Sequence, residues 1–264
     1  MDPKNLQNRN PLLGLPPTDL AGGTGIMTEY PGPANGSAGT FTDYPITLPN
    51  NYSYCDITLQ AGGGKGGDVQ KTIVTINSYW AGGGGSGSCI KVRLTKLRYP
   101  GGSTFTIRVG AGANTSNALT AGGNTFLYTT NPATPLATSI GGANGGDSKE
   151  SLGINVNTGG AGYGVTDTAG ILLDYTVGYN GFWSFSADSV NYAPAGFTGG
   201  GADSQFGRGH PMQSVFGATN RNGGNASGHG AGGEGALVVS SGAINSTKTG
   251  GNGSTGLAQV VVYY

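Results

Sequence analysis

Short alternating runs of apolar and polar residues mark the strands of this chain. From Tyr54 to Gln60, the side chains of Cys55, Ile57 and Leu59 fall on one face, the two-residue period of a half-buried strand. Ile90, Val92 and Leu94 alternate with Lys91 and Arg93. Phe105, Ile107 and Val109 alternate after the turn signal Pro100-Gly101-Gly102. Two such runs joined by a Pro-Gly turn predict a β-hairpin. The run from Ala258 to Tyr264 predicts one more strand, which fastens the C-terminal end. Over residues 68–78, Val69, Ile73 and Ile76 have helical spacing, but Thr72-Ile73-Val74 is a β-branched run, so helix and strand both stay open.

Between these strands lie glycine runs, at 62–67, 82–87, 141–146, 159–164, 199–201 and 223–235. The chain holds 54 glycines in 264 residues, about three times the usual ~7% share. Each glycine fixed in a regular element is less favourable than alanine by roughly 0.5–1 kcal/mol. Something must offset that cost. Close backbone packing, as in polyproline-II-like helices laid side by side, is one device; oligomerisation is another. The runs keep no sustained third-residue period, which excludes a collagen-type chain. The expected fold is mainly β, with antiparallel strands and glycine-rich loops or short polyproline-II-like glycine helices over residues 46–264.

Residues 1–45 read differently. Residues 1–50 hold 8 of the 13 prolines, and proline both lacks an N–H and biases its predecessor toward extended geometry. An extended arm carrying Leu12, Leu13, Leu15 and Leu20 suits docking on a partner surface; a plain linker is the alternative. The start lacks the apolar region of a secretory signal. No apolar stretch approaches the ~18 residues of a membrane span, so no membrane insertion is expected.

Charge and chemistry narrow the function. Thirteen cations balance thirteen acids, which with the absence of a binding motif argues against a nucleic-acid partner. Residues 69–146 nevertheless carry Lys71, Lys91, Arg93, Lys96, Arg98 and Arg108 and no acid. Lys91, Arg93 and Arg108 are therefore candidates for contact with an anionic partner. A solvated or edge-protecting strand face is the alternative. Gly62 to Gly67 and Gly82 to Gly87 match dinucleotide-fingerprint spacing, but the ribose-binding acid ~20 residues later is missing. No Gly-x-Ser-x-Gly elbow and no metal-ligand spacing occurs. The expectation is a non-enzyme without a cofactor. Cys55 and Cys89 are the two cysteines; ordinary strand thiols are favoured over a bridge.

Aromatic residues cluster once. Tyr175, Tyr179, Phe182, Trp183, Phe185, Tyr192 and Phe197 fall within 175–197, among Gly, Asn and Ser. Rigid rings amid adaptable polar groups resemble a recognition surface; a local core is the other reading. The candidate receptor contacts are Tyr179, Phe182, Trp183, Phe185 and Tyr192, within recognition loops spanning 175–216.

The order of parts resembles the glycine-rich domain of bacteriophage tail-fibre and spike proteins. A strand enters a glycine run in Ile57-Thr58-Leu59-Gln60-Ala61-Gly62-Gly63-Gly64, and a second run enters a strand in Gly84-Gly85-Ser86-Gly87-Ser88-Cys89-Ile90-Lys91-Val92. Pro100-Gly101 leads through Thr106-Ile107-Arg108-Val109 to Gly110-Ala111-Gly112, and Gly250-Gly251-Asn252-Gly253-Ser254-Thr255-Gly256 precedes Val260-Val261-Val262. The resemblance covers roughly residues 50–264. It implies a virion component, assembled in the host cytoplasm and exposed on the particle, that attaches to a host-surface receptor, either a glycan or an outer-membrane protein. It also implies other virion proteins as partners of the arm and a homo-oligomer, with a trimer favoured. A purely structural capsid or vertex protein is the competing class.

Overall fold

The computed structural model describes residues 25–34, 37–71, 79–117, 119, 121–130, 135–147, 155–157, 160–187, 195–216, 220–238 and 246–264. The fold is all β, with antiparallel sheets and no helix among the described residues. Its strands are numbered β1 to β20 in chain order.

Two five-stranded sheets face each other. The first has the order β1 (Ile26–Pro31), β20 (Leu257–Tyr263), β3 (Tyr54–Gln60), β6 (Cys89–Thr95), β12 (Leu172–Thr176). The second runs β11 (Val165–Asp167), β9 (Pro135–Ser139), β8 (Thr125–Thr129), β7 (Thr104–Gly110), β2 (Phe41–Thr47). The alternating residues meet between them. Cys55, Ile57 and Leu59 of β3, Ile90, Val92 and Leu94 of β6, and Phe105, Ile107 and Val109 of β7 form one buried cluster with Leu127 of β8. The C-terminal strand β20 lies inside the first sheet, with Val260 opposite Ile57. Cys55 and Cys89 are both free and buried.

One expectation needs correction. β6 and β7 are not a hairpin: β6 pairs with β3 and β12, and β7 pairs with β2 and β8. The connecting turn explains the difference. Gly102 N donates to Leu48 O at 2.8 Å and Leu48 N donates to Ser103 O at 3.0 Å, so the turn is recruited by the end of β2. Tyr99 packs against the core, edge-on to Phe105 at 5.3 Å, which carries the chain across to the other sheet. The expectation of an arm over residues 1–45 also meets strands within that span. β1 pairs with β20 and β2 with β7 along their lengths, so residues 26–31 and 41–45 complete the chain's own fold. Leu12, Leu13, Leu15 and Leu20 lie outside the described residues.

Beyond the sandwich, glycine runs lie side by side as a core made of backbone. Their hydrogen bonds step in threes. Ala61, Gly64 and Gly67 donate to the carbonyls of Ser88, Gly85 and Gly82 at 3.0, 2.8 and 2.8 Å. Gly63 and Gly66 donate to Ser254 and Gly251, both at 2.9 Å. Gly62 turns a third way, to Gly123 at 3.0 Å. A run that serves three neighbours in rotation has the three-residue repeat of polyproline-II geometry. Packing this close leaves no space for side chains: a Cβ on Gly84 would overlap the Gly64 carbonyl.

The runs lead to small sheets. β4 (Val69–Lys71) pairs with β19 (Ser246–Lys248), β5 (Tyr79–Trp80) with β18 (Leu237–Val238), and β15 (Phe206–Arg208) with β17 (Ser227–His229). A four-stranded sheet has the order β10 (Asn155–Asn157), β13 (Ser184–Ala187), β14 (Ala195–Phe197), β16 (Ser214–Phe216). Residues 69–71 of the ambiguous stretch are thus strand, and 72–78 lie outside the described residues. Val69, Tyr79, Ala81, Ala236 and Val238 form a second small core beside the pair Trp80 and Leu237.

Candidate functional site

Residues 178–182 show how this backbone core displays side chains. Gly178 N donates to Tyr163 O and Gly181 N to Gly160 O, both at 2.9 Å. A Cβ at either glycine would strike the carbonyl of Ser86 or Gly83, so these two positions must stay bare. The residues that follow them carry rings. Tyr179 N donates to Ser86 Oγ at 2.8 Å, and the Tyr179 carbonyl accepts from Ser86 N at 2.9 Å. The Phe182 carbonyl accepts from Gly83 N at 3.0 Å, while its own N donates to Gly200 O at 2.8 Å. Three residues make one turn of polyproline II, so Tyr179 and Phe182 project from the same side of the run. They are 56% and 52% exposed.

The two rings border a cleft of about 640 Å³, within the ~300–1,000 Å³ range of small-ligand sites. The backbone of Gly200 and Gly201 and the small Ala202 line it, and a further wall holds Gly209, Pro211 and Met212. Two polar side chains reach it with one atom already fixed. Asn180 Oδ1 accepts from Gly162 N at 2.9 Å, and Asp203 Oδ1 accepts from Gly209 N at 2.8 Å. Among the described lining residues there is no Lys, Arg or His.

A buried carboxylate holds this further wall. Glu234 lies on a glycine run and is 0% exposed. Its Oε1 accepts from Thr198 Oγ1 and Arg221 Nη2. Its Oε2 accepts from Gly224 N at 3.0 Å and faces His210 Nδ1 at 2.9 Å. Arg221 also donates to Gln213 Oε1, and Gln213 N donates to Thr198 Oγ1 at 3.0 Å. His210 and Gln213 flank the cleft residues Pro211 and Met212, so this network anchors the segment that carries them.

With this geometry in place, comparison with known proteins adds a family. Residues 35–264 match the family described as glycine-rich domain. The chain belongs to the glycine-rich domain family. A comparison with curated proteins gives no match.

The glycine-rich domain distributes the sequence-predicted residues unequally. Tyr179 and Phe182 converge on the cleft. Trp183 and Phe185 turn to another cluster: the Trp183 ring centroid lies 6.3 Å from Phe185 and 5.3 Å from Phe197. Trp183 is still 50% exposed, so it serves both the small sheet and the surface. Tyr192 lies outside the described residues. Of the basic residues, Lys91 and Arg93 lie on β6 of the first sheet and Arg108 on β7 of the second, and each faces a carboxylate. Arg93 donates twice to Asp56, at 2.7 and 2.9 Å, and Lys91 Nζ lies 3.5 Å from the same group. Arg108 donates twice to Asp43, at 2.8 and 2.7 Å, and stacks over Phe41.

Sequence reading missed Asp203, Met212 and Glu234 as parts of one site. The signal for the ring pair was present as Gly178-Tyr179-Asn180-Gly181-Phe182, with glycine at every third position and an aromatic residue after each. No comparable signal joins Glu234 to residues 198, 210 and 221, because the bundle brings separate runs together.

Proposed function

We propose that this glycine-rich domain is an attachment module of a virus particle, at a spike or tail-fibre tip, which binds a host-surface receptor through the Tyr179–Phe182 cleft. One observation carries the reading: two half-exposed aromatic rings stand over an open cleft on a scaffold whose interior is hydrogen-bonded backbone. Exposed rings cost solvation, and rigid aromatic anchors at low entropic cost are what binding surfaces use. In this reading the domain binds a receptor but catalyses no reaction, the segment before β1 docks on other virion proteins, and the particle carries the domain as a homo-oligomer, with a trimer favoured.

Adsorption tests the reading. Fluorescently labelled protein is applied to cells that the parent particle infects, and intact particles compete with it. Saturable binding that blocks infection supports attachment. Assembly into particles without any cell binding would transfer the role to a structural capsid or vertex protein. The exposed edge strand β1, where Ile26 and Met27 lie open, supports that second reading as a packing surface.

A further inference from the structure

We infer that the ligand of the Tyr179–Phe182 cleft is a neutral carbohydrate ring. The inference rests on the attachment reading for its biological setting, but the chemistry stands on the cleft itself. The two rings offer apolar faces on one side of the 178–182 run, and a sugar offers C–H faces of matching size. Asn180 has its oxygen committed to Gly162 N, which leaves its amide N–H groups as donors. Asp203 has Oδ1 committed to Gly209 N, which leaves Oδ2 as an acceptor. A hydroxyl both donates and accepts, so vicinal sugar hydroxyls satisfy this pair together. Gly200, Gly201 and Gly209 add backbone to the lining, which leaves room for a ring between the side chains.

Other ligands fit less well. A phosphate or sulfate group finds no cation among the described lining residues and meets Asp203 instead. A quaternary ammonium group suits the rings and the carboxylate, but it leaves the Asn180 donors without partners, and an unmet polar group weakens a complex.

The test uses the full chain and named probes. Saturation-transfer NMR is run with methyl glycosides of hexoses, deoxyhexoses and N-acetylhexosamines, and with tetramethylammonium. The expected result is saturation of ring protons of at least one glycoside. Tyr179→Ala and Asp203→Asn each weaken it about tenfold, and Leu97→Ala, at an exposed position outside the cleft, leaves it unchanged. No transfer to any glycoside, or transfer to tetramethylammonium alone, overturns the inference. A cell assay keeps the two claims apart. Adsorption that survives periodate oxidation of the cells preserves attachment and removes the carbohydrate. Absence of adsorption beside glycoside binding preserves the carbohydrate and removes attachment.

Discussion

His210 Nδ1 lies 2.9 Å from Oε2 of Glu234, which ties a wall of the cleft to the interior of the glycine bundle. Glu234 is fully buried and also holds Arg221, Thr198 and Gly224. Breaking a fully buried pair costs roughly 3–5 kcal/mol, but the partners left here, Arg221 and His210, are each about a quarter exposed. Glu234→Ala should therefore destabilise the domain in denaturant unfolding by less than that full figure. Hydrogen exchange should rise first in 209–213. Glu234→Gln keeps the shape and should cost less. Equal stability of Glu234→Ala and the parent would show that the network holds nothing.

Backbone packing makes a sharper prediction. A Cβ at Gly84 would overlap the Gly64 carbonyl, whereas one at Gly164 would meet nothing within 4 Å. Overpacking costs ~1–3 kcal/mol where side chains can adjust; carbonyls inside a bundle adjust less. Gly84→Ala should lose about 3 kcal/mol or more. Gly164→Ala should be neutral or gain ~0.4–1 kcal/mol by restricting the unfolded chain. Thermal unfolding of the two variants side by side decides it. A similar loss in both would mean that the runs are not tightly packed.

These contrasts show what the sequence could disclose. The strand periods of β3, β6 and β7 were legible because each buries one face, as Cys55, Ile57 and Leu59 do. Which sheet each strand joins was not legible, because alternation is the same for a hairpin and for two strands facing across a core. The pairing of Gly102 with Leu48 decided that, and it is a contact between distant residues. The strands within residues 1–45 were hidden for a related reason. Pro31 and Pro45 suggested a chain outside any sheet, but β1 and β2 are both edge strands, where proline is tolerated. Within the site, the aromatic candidates were legible as a cluster. Their division between cleft and small sheet follows the three-residue repeat, which places Tyr179 and Phe182 together.

The cysteines give a chemical test of the sandwich core. Burial pushes both Cys55 and Cys89 up to about 12. The reactive thiolate is then scarce at ordinary pH. Native protein at pH 8 should leave both thiols unmodified by a disulfide-exchange reagent over hours, and denaturant should release two equivalents. Fast labelling of either thiol in the native protein would contradict the packing of β3 against β6.

Acid should act through Asp43. Hydrogen bonds from Arg108 hold its carboxyl below the ordinary 3.8, against a smaller opposing effect of burial. A carboxyl lowered in the folded state contributes stability above its unfolded value and loses it as pH falls through the folded value. The contribution is thus present at pH 5 and fades below about pH 4. The pair is partly exposed, so its worth is ~0.2–1 kcal/mol. The melting temperature of the parent should exceed that of Asp43→Asn at pH 5, and the gap should shrink toward pH 2. A gap that stays constant with pH would assign the effect to packing of Arg108 on Phe41.

The cleft and its neighbour make opposite demands on two adjacent residues. Phe182 lines the cleft, and its backbone, not its ring, holds the 178–182 run in place. Trp183 packs edge-on against Phe185 and Phe197. Truncating an aromatic hot spot costs about 2 kcal/mol or more in binding, a ~30-fold loss at ~1.4 kcal/mol per decade. Phe182→Ala should therefore weaken adsorption to cells about 30-fold with an unchanged melting temperature. Trp183→Ala should lower the melting temperature, because two ring contacts disappear from the small sheet, each aromatic pair being worth ~0.5–1.5 kcal/mol. Its effect on adsorption should follow from that loosening and shrink when binding is measured well below the melting transition. If Trp183→Ala abolishes adsorption at full stability while Phe182→Ala does nothing, recognition belongs to the Trp183 face, and the cleft is not the receptor site.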